Sequence, residues 1–165
     1  MALDGIAVSN IIYELNKSLI GGRIDKIYQP QKDEIVMSVR NNGTSKLLLS
    51  ANPSHPRLHI TTIQRENPIT APMFCMVLRK HIAGSRILSI SQYGLERIAS
   101  IKVEAMNEMG DMVERNLIIE IMGKYSNIML VDENGRILDC IKRVSHETSS
   151  VREVLPGKEY SLPPS

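Results

Sequence analysis

Apolar side chains recur every four residues from Ile11 through Leu15 to Leu19, with Asp4 ahead of them and Gly21-Gly22 behind. A near-3.6 period opened by an acceptor side chain and closed by glycine predicts a helix over residues 4–19. The period then shortens to two. Arg23–Tyr28, Glu34–Arg40 and Lys46–Ser50 predict three strands, with a hairpin turn at Asn41-Asn42-Gly43, and Leu58–Thr62 is a candidate fourth. After a loop with two prolines at Asn67–Pro72, a second helix is expected over Met73–Ala83. Thr70 is its expected N-cap, Pro72 falls in its first turn, and Gly84 ends it. Its last turn, Arg79-Lys80-His81, sets cations at the negative end of the helix dipole.

Five further strands are expected at roughly 86–93, 96–105, 113–121, 127–132 and 136–141, with turns at Asn107–Asp111 and Asp132–Arg136. Antiparallel hairpins dominate, and helices do not alternate with strands. The expected class is therefore α+β: antiparallel strands in one or two sheets, with two main helices at an edge or face, and not a doubly wound parallel sheet.

Length and composition narrow the picture further. A chain of 165 residues fits one domain, or one domain plus the start of a linker. With no Trp, one Phe and nine Met, its core must be built from Ile, Leu, Val and Met. A net charge of +2 argues against wholesale coating of nucleic acid and leaves room for a local patch. Cys75 and Cys140 lie far apart among apolar residues and read as free, buried thiols of a reducing compartment. Neither belongs to a Cys-x-x-Cys pair, so no zinc site is expected. Met1–Asn10 carries Asp4 and no basic cluster before an apolar run, unlike a signal peptide. No uncharged stretch reaches membrane-spanning length. The expected location is the cytoplasm, with no membrane partner.

Enzyme motifs are missing: no Gly-x-x-x-x-Gly-Lys-Ser/Thr, Gly-x-Gly-x-x-Gly, Gly-x-Ser-x-Gly or His-Glu-x-x-His. His55 and His59 are four apart, but Pro53 and Pro56 break any helix that would align them, so no metal pair is expected. His81 reads as a helix-end cation and His146 as a solvated residue of the polar stretch Ser145–Ser150. No catalytic residue, cofactor or metal is expected. Polar strings of binding character remain. Glu120-Ile121-Met122-Gly123-Lys124-Tyr125-Ser126-Asn127 interrupts two apolar runs, where Lys124 and Asn127 can serve a phosphate or a base edge, or where the string is a polar hairpin turn. At the start of the expected strand over 96–105, Glu96-Arg97 is either an exposed charge pair or a base and phosphate contact: Arg97 can stack or fork, while Glu96 accepts from amino groups or ribose hydroxyls.

Taken in order, Asp4-Gly5, Gly21–Pro30, Leu47–Pro53, Pro56–His59, Phe74–His81 and Glu120–Asn127 resemble the N-terminal domain of the NFACT proteins, known also as fibronectin-binding-protein-A-like proteins. The resemblance covers nearly the whole chain. It implies a fold similar to the N-terminal domain of formamidopyrimidine-DNA glycosylases, without their activity, because the chain begins Met1-Ala2-Leu3-Asp4 and lacks the N-terminal proline those enzymes use. It also implies that residues 1–165 are one domain of a longer protein, with helix-hairpin-helix, coiled-coil and RNA-binding segments downstream. The implied partners are tRNA and the large ribosomal subunit carrying an obstructed peptidyl-tRNA, and the implied role is support of untemplated alanine tailing of stalled chains. Implied RNA-binding residues are Glu96, Arg97, Glu120, Ile121 and Met122, with Lys124 added from the local string. Position 96 is Glu where the family usually has Asp, one methylene longer. The family's older name implies a different role, a surface adhesin that binds fibronectin or fibrinogen.

Overall fold

The Asp4 carboxylate accepts a hydrogen bond from the Ala7 N–H at 2.7 Å and caps α1 (Gly5–Leu19), whose buried stripe is Val8, Ile12, Leu15 and Leu19. This computed structural model describes residues 4–149 and 151–164. Met1–Leu3, on which the reading of the N-terminus rests, and Ser150 of the polar stretch lie outside them. Four strands follow: β1 (Arg23–Gln31), β2 (Glu34–Arg40), β3 (Thr44–Ser50) and β4 (Arg57–Thr61). After α2 (Met73–Ile82) come β5 (Arg86–Gln92), β6 (Ile98–Met106), β7 (Met112–Glu120), β8 (Asn127–Val131) and β9 (Ile137–Cys140). The α+β class and the two helices stand as expected.

Among the described residues, these nine strands form a single antiparallel sheet in the order β4-β3-β2-β1-β5-β6-β7-β8-β9. It is two meanders joined between β1 and β5, where Arg23 lies opposite Arg86. Peptide hydrogen bonds at that join run from Gly21 to Ile87, Ile87 to Gly22, Ile24 to Ser85 and Gly84 to Ile24, at 2.7–2.9 Å. The helices lie across it: α1 packs on β5 and reaches β4 and β6, while α2 packs on β1 and reaches β6 and β9.

Thr70 does not cap α2. Pro72 occupies the N-cap position in extended conformation, with no side-chain capping bond. A distant side chain supplies the missing acceptor, since the Cys75 N–H donates to Gln29 Oε1 at 3.1 Å.

Strand alternation sorts the apolar residues onto two faces. Leu117 and Ile119 join Leu19, Leu78, Met37 and Leu49 in a core shared by both meanders and both helices. Ile118 points the other way, into a smaller cluster with Ile98, Met129, Ile137 and Val154. That second face is covered by the chain beyond β9, where Val144 and Val154 exchange backbone hydrogen bonds of 2.9 and 2.7 Å. Both cysteines are free and buried. Burial, with Asp139 alongside, pushes the Cys140 thiol up to about 12.

Candidate nucleic-acid interface

Two loops at one end of the β6–β7 pair carry the candidate residues. Ile98 opens β6 opposite Glu120, the last residue of β7. One step further, the Ile121 N–H donates to the Arg97 carbonyl at 2.8 Å, so loop 93–97 and the string after β7 are joined by backbone. The expected strand from residue 96 begins two residues later, which leaves Glu96 and Arg97 in the loop.

That loop is seated on the start of α1. Gln92 Nε2 donates to the Gly5 carbonyl at 2.9 Å and to the Glu96 carbonyl at 2.7 Å. A Cβ on Gly5 would stand 1.9 Å from the Leu95 carbonyl oxygen, so only glycine permits this approach. Glu96 is exposed and Arg97 half-buried. Among the described residues, neither side chain has a hydrogen bond or ion pair.

Glu120 and Ile121, expected on an exposed binding edge, are instead buried. Ile121 is part of the main core. The Glu120 carboxylate is fully buried and receives Arg152 Nη2 at 2.6 Å, Arg152 Nη1 at 3.0 Å and the Tyr160 hydroxyl at 2.8 Å. A buried carboxylate is tolerable only when its charge and lone pairs are met in this way. Burial and the adjacent carboxylate raise the Tyr160 pKa. For Arg152 burial works downward, but the hydrogen bonds and charge of Glu120 outweigh it and raise the pKa. These side chains fix the backbone from which the exposed residues project.

The rest of the string divides likewise. Met122 is half-buried against the second cluster, and its N–H donates to Ser126 Oγ at 2.8 Å. Gly123, with φ of 56°, turns the chain into a single 3-10 turn, Gly123–Tyr125, that lifts Lys124 and Tyr125 into solvent. The Lys124 ammonium lies 5.2 Å from the centroid of the Tyr125 ring, which is 72% exposed. Asn127, read either as a phosphate or base contact or as part of a polar turn, is buried and structural: its amide bonds both the N–H and the carbonyl of Lys142, at 3.0 and 2.9 Å.

This clamp brings in residues that sequence reasoning missed. Lys142 and Arg143, shortly after β9, line a groove of about 740 Å³ with Met122, Lys124, Tyr125 and Arg152. The only sequence-level signal was two adjacent cations following an apolar strand. Elsewhere, His81 lies in the last turn of α2 as expected, where its surroundings disfavour the charged form. Burial, then Arg115 and Lys80, lowers its pKa, and Arg115 Nη1 serves the helix end by donating to the His81 carbonyl at 2.8 Å. Among the described residues, no helix is long and apolar enough to cross a membrane.

Residues 4–165 match the family described as NFACT N-terminal and middle domains. The chain is 48% identical over 166 residues to the Rqc2 homolog RqcH of Bacillus subtilis (strain 168), covering 99% of this chain and 29% of that protein. It is 28% identical over 143 residues to ribosome quality control complex subunit NEMF of Homo sapiens, covering 86% of this chain and 12% of that protein. The solved N-terminal domain of fibronectin-binding protein PavA from Streptococcus pneumoniae is similar with a TM-score of 0.94 at 46% identity, covering 98% of this chain and 62% of that one. The chain thus spans less than a third of the length of these curated relatives.

Proposed function

The chain belongs to the NFACT family, and we propose that it is the RNA-contacting module of a cytoplasmic ribosome quality-control factor. In this role it holds tRNA at the large ribosomal subunit that carries an obstructed peptidyl-tRNA, and so supports untemplated alanine tailing. It performs no chemistry of its own; peptide transfer belongs to the ribosome. Part of the proposal is a scaffold of the formamidopyrimidine-DNA glycosylase type, used to hold nucleic acid without excising a base.

One observation carries this: the Ile121–Arg97 hydrogen bond sets the exposed Glu96 and half-buried Arg97 beside the turn that presents Lys124. Arg97 has planar donors that can fork to a phosphate or stack on an unpaired base. Glu96 accepts from base amino groups or ribose hydroxyls, and Lys124 supplies a point charge for phosphate. Met122, Ile121 and Glu120 hold the edge in shape. With a net charge of only +2, affinity depends on these few contacts and falls with salt.

Filter binding of tRNA to the chain and to a Glu96→Ala, Arg97→Ala double variant tests the proposal. A loss of about tenfold or more is expected, each such contact being worth about 1–3 kcal/mol, with unfolding unchanged. Unaltered tRNA affinity would count decisively against it. The name of the solved fibronectin-binding PavA domain favours a second reading, an adhesin. Saturable binding of immobilised fibronectin that survives the double variant would support that alternative.

A further inference from the structure

We propose that the groove beside the 3-10 turn takes a single unpaired nucleotide, its base stacked on Tyr125 and its phosphates held by Lys124 and Arg143. This rests on the reading of the chain as an RNA-contacting module and adds a subsite to it.

Every charged residue lining the groove, among the described residues, is a cation. Lys124, Lys142, Arg143 and Arg152 line it, and no Asp or Glu does so among the described residues. Its volume of about 740 Å³ lies within the roughly 300–1,000 Å³ typical of small-ligand sites. Two of the cations are committed to the protein: Arg152 to Glu120 at 2.6 Å, and Lys142 to the Ala51 carbonyl at 2.6 Å. The other two have donors to spare. Lys124 is exposed, and the Arg143 side chain is 59% exposed with one contact of 3.4 Å to Asp139.

Tyr125 gives the site its preference for a flat ring. It is 72% exposed at the mouth of the groove, although a tyrosine with so much open face gains little from burial where it stands. Its backbone is held by the Tyr125 N–H bond to the Met122 carbonyl at 3.0 Å, so the ring projects from a fixed turn. Met122, Val144 and Val154 make the inner wall apolar. A ring platform, an apolar wall, the exposed Lys124 and the remaining donors of Arg143, whose Nη2 pairs with Asp139, are the parts that single-strand sites combine: stacking for the base and charge for the backbone. Bases in a duplex are already stacked and cannot enter a pocket of this form, so the occupant is an unpaired nucleotide of a loop or an end.

Fluorescence anisotropy with a short labelled single-stranded oligoribonucleotide, and with the same sequence in duplex, tests the subsite. Tyr125→Ala and Arg143→Gln should each weaken single-strand binding by about tenfold, Tyr125→Phe should retain it, and duplex binding should change little. Single-strand affinity that is indifferent to Tyr125→Ala overturns the proposal. So does equal competition by polyglutamate, which would make the groove a plain anion site. The parent reading fails separately: tRNA binding that ignores Glu96 and Arg97, while oligonucleotide binding follows Tyr125, leaves the subsite standing without it.

Discussion

Arg152 grips Glu120 with both terminal guanidinium nitrogens, across 32 residues of sequence, and the carboxylate it holds has no exposure to solvent. Arg152 Nη1 also donates to the Ser161 carbonyl at 2.6 Å, and Tyr160 completes the cluster. The segment after β9 is thereby fastened to the end of β7.

Removing one partner of a buried pair strands the other. Glu120→Ala is expected to lower stability by about 3–5 kcal/mol, since it leaves the Arg152 guanidinium without its counter-charge. Tyr160→Phe removes a single hydrogen bond and should cost about 1 kcal/mol. Urea unfolding followed by circular dichroism measures both, and a midpoint unmoved by Glu120→Ala would disprove the assignment of the pair as structural.

Gly5→Ala separates loop position from fold. The added methyl meets the Leu95 carbonyl oxygen at 1.9 Å, so loop 93–97 must shift from α1 and carry Glu96 and Arg97 with it. We expect tRNA affinity to fall about tenfold, a loss comparable to that of a direct contact, with the unfolding transition still cooperative. Equal affinity in the variant would show that the seat on α1 does not set the position of this edge.

Most of the architecture was legible in the sequence because it is local. The four-residue spacing of Ile11, Leu15 and Leu19 and the turn at Asn41-Asn42-Gly43 are short-range signals, and they placed α1 and the β2–β3 hairpin correctly. What failed was long-range. Thr70 is a good N-cap by type, yet the acceptor for the first turn of α2 is Gln29, 46 residues from the Cys75 N–H it serves. Glu120 read as a binding residue because charge in an apolar run looks functional, and its partners Arg152 and Tyr160 cannot be paired with it by spacing. The groove was hidden for the same reason: Lys142 and Arg143 are brought toward Lys124 by the pairing of β8 with β9 and by the bonds of Asn127 to Lys142, which spacing does not reveal.

Protonation of His81 should act against the fold. Its pKa is held below the ordinary 6.5 by burial first, then by Arg115 and Lys80, with Glu108 and Glu133 opposing less strongly. The unfolded chain therefore binds the proton more readily than the native one. This contribution is fully present above pH about 6.5 and is lost as the pH falls below it. His81→Gln should flatten the fall in melting temperature between pH about 7 and about 5. If the variant keeps the wild-type slope, another group governs it.

The join between β1 and β5 has a consequence for how the molecule can deform. Few backbone hydrogen bonds stitch the two meanders together there, but α1 and α2 each press on strands from both sides. Parting the seam would unroof both helices at once. The domain therefore has a narrow waist braced by both helices against hinging, so that an RNA bound as proposed at the β6–β7 end would be held by a braced body.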